Sequence, residues 1–301
     1  GLPWLASTYA LVAGVAALTT TPFTQPNSIA VAFESEFSMA PWVSGVLIAV
    51  LTWLVIIGGV KSIGRAVEKL SPLKVFLYLA GGLFVIVVNA ARLPDVLTTI
   101  FSEAFSLRAA TGSAAGLGLM VGMRYGLARG VYANEAGYGT AAVAYGTARS
   151  SEPLQQGLNA VIEVFIVSFV TSSISALTIL LTGAWTSGLN STAAVAYAFE
   201  TAIPVAGGPI VAICAFLFGY TTLIGWAYYG EQFFEYILGV GVTVPYRWVY
   251  CSLIVFGATA QVETVWAWGD LMNGLQVFPN MIGVIGLSGL VAARLREKRQ
   301  L

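Results

Sequence analysis

Apolar residues in this chain come in long runs separated by short polar stretches. Residues 42–60 and 75–91 are examples. A helix needs roughly 20 mostly apolar residues to cross a ~30 Å hydrocarbon layer, and these runs are long enough. The pattern predicts membrane elements at about 4–37, 42–60, 73–91, 116–147, 158–182, 209–237, 246–259 and 278–293. The first and fourth are too long for a simple span and carry helix-breaking residues in their middles. Between the last two, residues 262–277 are apolar enough for another span or a helix lying at the surface.

Composition settles what these runs are. The chain is 57% hydrophobic and 9% charged, against about 25% charged in soluble domains. The expected fold class is an all-α polytopic membrane protein. Basic residues then set the orientation, because cytoplasmic loops are enriched in Lys and Arg. Lys61, Arg65, Lys69 and Lys74 cluster between the second and third elements, so that loop is expected inside. Alternation puts Arg149 and Arg247 inside and Arg92 and Arg108 outside, with Arg124 and Arg129 at or within the membrane. The tail with Arg294, Arg296, Lys298 and Arg299 falls inside if 262–277 does not span, and that is the reading adopted.

The formal net charge is zero and there is no histidine. The first argues for no nucleic-acid partner. The second removes the commonest general base and metal ligand, which argues against an enzyme. Cys214 and Cys251 stand alone in apolar stretches and read as small hydrophobes. No protein partner is evident beyond the lipid bilayer. The chain opens Gly1-Leu2-Pro3-Trp4, with neither Met nor a basic signal-peptide start, so further sequence upstream is expected.

Three polar features interrupt the apolar runs. The stretch 129–140 places Arg129, Asn134 and Glu135 among Gly130, Gly137 and Gly139. A charge at mid-span costs about 2.5–3.5 kcal/mol on insertion scales, and glycines let backbone groups leave the helical ladder. Unwound backbone is tolerated in a membrane only where it is buried in protein or lines a cavity. Broken helices of this kind form the substrate and ion sites of secondary transporters. Close packing through small residues accounts for the glycines but not for Asn134 and Glu135. The stretch 21–28 carries Pro22 and Pro26, which break or kink a helix, and Gln25 and Asn27, whose amides suit a zwitterion. A loop at the membrane edge is the other reading of that stretch. The third feature, 220–231, contains Thr221-Thr222, hard oxygen ligands of the kind alkali cations accept. Threonines in membrane helices also bond back to their own carbonyls, and chemistry alone leaves these two readings open.

Together these features resemble the alanine or glycine:cation symporter family over essentially the whole chain. The most specific part is Arg129-Gly130 followed by Asn134-Glu135-Ala136-Gly137-Tyr138-Gly139-Thr140-Ala141, then Pro153, Gln156 and Gly157. It is similar to the family's RG-x-x-x-NEAG-x-G-[ST]-A signature. Gly225-Trp226 with Tyr228-Tyr229-Gly230-Glu231, and Asp270 followed by Asn273-Gly274 and Pro279-Asn280, add to the likeness. The resemblance implies a fold of two inverted five-helix repeats with discontinuous helices. Residues 1–301 would form a single membrane domain supplying core helices 3–10, with the N-terminal helices missing.

It further implies a substrate pocket lined by Gln25 and the segment Asn134, Glu135, Ala136, Gly137, Tyr138 and Gly139. Thr221 and Thr222 would help hold a sodium ion, and Arg129 with Asp270 would form an outer gate. Three positions depart from the family pattern. Thr21-Pro22-Phe23 stands where Gly-Asn-Met is usual, Val167-Ser168 where Asp-Thr is usual, and Ala142 where Pro is usual.

The function so implied is secondary active transport. A sodium ion would drive symport of a small neutral amino acid, such as alanine or glycine, across the inner cell membrane. A proton-coupled or diverged amino-acid transporter is the nearest alternative, with Glu135 and Glu163 as the carboxylates to test. A channel would instead need a continuous polar pore and no occluded site.

Overall fold

The computed structural model describes residues 2–104, 115–150 and 152–299. Arg108, expected outside, lies beyond the described residues. Every regular element among them is helical, and six stretches are long and apolar enough to cross a membrane. The chain is a multi-pass membrane protein.

The helices are α1 (Pro3–Thr19), α2 (Thr21–Phe37), α3 (Pro41–Ile56), α4 (Gly59–Val88), α5 (Leu93–Ala104), α6 (Ala115–Asn134) and α7 (Thr140–Tyr145). They continue with α8 (Pro153–Phe165), α9 (Ser172–Thr182), α10 (Ser191–Ala202), α11 (Gly207–Leu238), α12 (Thr243–Thr259) and α13 (Val262–Arg299). A π-turn, Ile166–Thr171, joins α8 to α9 without a break.

At the centre stands α11, which packs against α1, α2, α4 and α10. Ile29, Ile48, Leu223, Ile224, Tyr250 and Ile254 form the main core around it. The outward faces carry Phe76, Val87, Phe165, Phe256 and Ile285, all exposed. Such a surface would drive association in water, whereas in lipid it is the matching solvent.

The first long element does divide, but ahead of its prolines. The α1–α2 junction falls at Thr20, so Pro22 lies in the first turn of α2, where its missing N–H costs nothing. Pro26 lies inside α2 and cannot bond the Pro22 carbonyl. That carbonyl meets Gly257 of α12, which has no Cβ to collide with it. Small residues let membrane helices approach this closely. Asn27, read from the sequence as an amide for a zwitterion, instead donates to the Gly257 and Ala260 carbonyls at 3.1 and 2.7 Å. It satisfies the end of α12.

Two other expectations are corrected. The segment with Lys61, Arg65 and Lys69 is not a loop; α4 runs through it for 30 residues. The three basic residues recur every fourth position and share one exposed stripe. Lys74 leaves that stripe and turns half-buried toward α11. Residues 262–277 are neither a separate span nor a surface helix. They form the first half of α13, one helix of 38 residues that continues through Pro279, about 57 Å at 1.5 Å per residue. The basic tail therefore follows one long helix rather than two elements. Arg247 also donates to the Ile57 carbonyl at 3.4 Å, which puts it at the same end of the bundle as Lys61.

Candidate functional site

The signature stretch is where the fourth element breaks. The helix α6 passes through Gly130 and ends at Asn134, and α7 starts at Thr140. Between them Glu135, Gly137 and Gly139 have φ of 53°, 96° and 84°, in the left-handed region that glycine enters without steric cost. A Cβ on Gly139 would stand 2.5 Å from both Asn280 Oδ1 and Tyr9 Oη.

Carbonyls freed by this unwinding find side chains. Tyr9 Oη donates to the Tyr138 carbonyl at 2.6 Å, and Asn280 Nδ2 donates to that of Gly137 at 2.8 Å. Asn134 Oδ1 accepts the Ala136 N–H at 2.9 Å, while its Nδ2 donates to Ser168 Oγ at 3.0 Å within the π-turn. Buried polar backbone must be paired somewhere, and here Tyr9 of α1, Asn280 of α13 and Asn134 itself do that work, while the π-turn anchors the Asn134 side chain.

Glu135 holds the middle of the break. Its Oε1 accepts the Trp226 indole N–H at 2.7 Å and its Oε2 accepts the Thr140 hydroxyl at 2.8 Å. A cavity of about 170 Å³ opens beside it, walled by Gln25, Tyr132, Ala133, Glu135 and Tyr138 on one side and by Thr222 and Trp226 of α11 on the other. Of the expected site residues, Gln25, Glu135, Tyr138 and Thr222 meet at this cavity. Asn134, Ala136, Gly137 and Gly139 do not line it; they build the break that shapes it.

Thr221 and Thr222 part company, because successive helical residues point about 100° apart. Thr222 faces the cavity and donates its hydroxyl proton to the Phe218 carbonyl at 2.9 Å. Thr221 faces α4 and accepts a hydrogen bond from Lys74 Nζ at 2.6 Å.

Arg129 and Asp270 meet as an ion pair. The guanidinium also lies over Trp266, 4.4 Å from its ring centroid, and 5.6 Å from that of Tyr132. Tyr132 reaches from there to the cavity wall, its hydroxyl 2.5 Å from Thr24 Oγ1.

Tyr132, Trp226, Tyr9 and Asn280 were not among the expected site residues. Trp226 follows Thr222 by four residues, so helical spacing puts both on one face. Tyr132 precedes Glu135 by three and is found the same way. For Tyr9 the sequence offers no comparable signal.

A profile of the sodium:alanine symporter family matches residues 1–300. This chain belongs to that family. It is 35% identical over 276 residues to the sodium/alanine symporter AgcS of Methanococcus maripaludis, covering 90% of this chain and 60% of AgcS. An uncharacterized transporter of Haemophilus influenzae is 34% identical over 300 residues, 99% of this chain and 66% of that protein. The probable sodium/glutamine symporter GlnT of Bacillus subtilis is 34% identical over 275 residues, 91% of this chain and 57% of GlnT. The chain thus spans less than two thirds of the length of these sodium:alanine symporter family relatives.

Proposed function

We propose that this chain forms the greater part of a secondary active transporter that carries a small neutral amino acid, such as alanine or glycine, together with a cation. The observation that carries this reading is the cavity at the helix break. Its volume of about 170 Å³ is well above the roughly 10–15 Å³ that one water needs, and it favours a compact solute over one with a long side chain. Its polar wall is matched to a zwitterion. The Gln25 amide can donate to the substrate carboxylate, and the Glu135 carboxylate can accept from its ammonium group. Asn134, Ala136, Gly137, Tyr138 and Gly139 serve by holding the break. Thr222 offers an oxygen to the coupling ion, and Arg129 with Asp270 closes the outer side.

In this reading the chain is a single membrane domain, 1–301, built as two inverted repeats, of which it supplies core helices 3–10, in the inner cell membrane. Sodium is the coupling ion suggested by the family. One positive charge moving inward down ~100 mV supplies about 2.3 kcal/mol, roughly fifty-fold accumulation. A proton is the second reading, favoured by Glu135, which stands at the cavity with hydrogen bonds from Trp226 and Thr140 but belongs to no ion pair among the described residues.

Counterflow of radiolabelled alanine into liposomes containing the full-length protein tests the proposal. Saturable exchange, competed by unlabelled alanine and accelerated by an inward sodium or proton gradient, is expected. A flux that rises linearly with concentration would indicate a channel, and no alanine-dependent exchange would retire the substrate.

A further inference from the structure

Lys74 lies about midway along α4, and its amine reaches the midpoint of α11, the most buried of the long apolar helices. There Nζ donates to Thr221 Oγ1 at 2.6 Å and sits 5.0 Å from the Phe218 ring centroid. The ion pairs among the described residues are Arg129–Asp270, Arg247–Glu231 and Arg294–Glu297; Lys74 is in none of them. A positive charge at membrane depth without an acidic partner is costly, and ionisable residues kept there mark ion pathways and relays. A neutral donor would fasten α4 to α11 as well.

The oxygen that Lys74 engages is one of the two hydroxyls from which a sodium site was expected. A hydroxyl has one donor and two lone pairs. The Thr221 proton is directed back to the Leu217 and Phe218 carbonyls at 2.9 and 3.0 Å, and one lone pair takes the Lys74 amine. Sodium approaching the remaining lone pair would meet an ammonium on the same atom, with no carboxylate ion-paired to that ammonium among the described residues to offset the repulsion. Ammonium and sodium carry the same charge and seek the same kind of oxygen, so the two are alternatives at this position.

We infer that Lys74 is a tethered cation that occupies the ion position at Thr221, so that Thr221 is not a sodium ligand in this protein. The inference rests on the reading of the chain as a cation-coupled transporter. Of the two expected threonine ligands it leaves Thr222, on the cavity side of α11, as the one open to sodium. An ion that the family would exchange with solvent at each cycle is here, at one position, a fixed part of the chain.

The test is equilibrium binding of radioactive sodium to the purified full-length protein in detergent, without amino acid. Thr221→Ala should leave sodium affinity within about twofold of the unaltered protein, the usual scatter between uncoupled sites. Lys74→Met should gain sodium binding, at least tenfold at equal sodium concentration. The double variant should lose that gain, and Lys74→Arg should behave as the unaltered protein. A tenfold loss of sodium affinity in Thr221→Ala alone would overturn the inference, as would a folded Lys74→Met that gains no sodium. If Lys74→Met does not fold, Thr221→Ala and Lys74→Arg still decide. Because the readout contains no amino acid, failure here is separate from failure of alanine counterflow, which would strike the substrate and leave Lys74 where it is.

Discussion

The Arg129 guanidinium bonds the Asp270 carboxylate across 141 residues of sequence, joining the last turns of α6 to the first half of α13. Both side chains keep some exposure, 36% and 21%, so solvent screens part of the attraction. A wholly buried pair costs about 3–5 kcal/mol to break from one side. Discounted for exposure, about 1–2 kcal/mol is expected here, an order of magnitude in rate. Asp270→Arg should therefore lower alanine uptake roughly tenfold or more. Adding Arg129→Asp should restore most of it, read as initial uptake rate at equal membrane expression. Absence of rescue would show that the two charges act separately.

Trp226→Phe tests the wall of the cavity. The substitution keeps an aromatic ring and removes the indole N–H that Glu135 Oε1 accepts at 2.7 Å. Leaving a buried acceptor short of a donor costs about 1–3 kcal/mol. The melting temperature should fall by about 2–4 °C per kcal/mol lost, and alanine affinity, measured by competition in counterflow, should fall with it because Glu135 loses the bond that positions it.

Gly139→Ala should damage the fold rather than the chemistry. The residue has φ 84°, and an added Cβ would meet Asn280 and Tyr9. Strain of this kind costs about 1–3 kcal/mol and overpacking a similar amount. The expected result is a melting temperature lowered by several degrees (~2–4 °C per kcal/mol,) and reduced yield of monodisperse protein. An unchanged melting curve would mean that the break relaxes.

At the turn between α10 and α11, Glu200 Oε1 accepts the Val205 N–H at 2.7 Å and Oε2 accepts the Gly208 N–H at 3.0 Å. Val205 itself has a left-handed φ of 70°. These two amide bonds hold the Glu200 carboxyl below the usual carboxylate range. A group depressed in the folded state contributes stability above its unfolded pKa, about 4.3 for Glu, and loses it as pH falls through the lower folded value. Hydrogen-exchange protection of Val205 and Gly208, corrected for intrinsic rate, should hold from neutral pH to about 4.3 and decline below it. Glu200→Gln should remove most of the difference between the two regimes.

The apolar runs and the helix break were legible because lipid imposes long apolar helices and punishes polar interruptions. Arg129, Asn134 and Glu135 advertise themselves as charges and amides where none is cheap. Length patterning failed at α13, where residues 262–277 and 278–293 are one helix, because a single apolar rod and two shorter ones have the same composition. It failed again at Lys74, which joins Lys61, Arg65 and Lys69 in number but not in angle; only the continuity of α4 reveals the turn toward α11. Tyr9 and Asn280 could not be assigned to the break because their partners are backbone carbonyls, which have no letter in a sequence.

The π-turn at Ile166–Thr171 leaves α8 and α9 with one residue more than an α-helix of that length would hold. Ser168, the acceptor for Asn134, lies within it. Such turns occur frequently at functional sites. Drawn in, the spare residue would advance α9 by about 1.5 Å and rotate it by about 100° without breaking the rod. The register of α9 against α4 and α10 is therefore set by whether that one residue stays bulged or joins the helix.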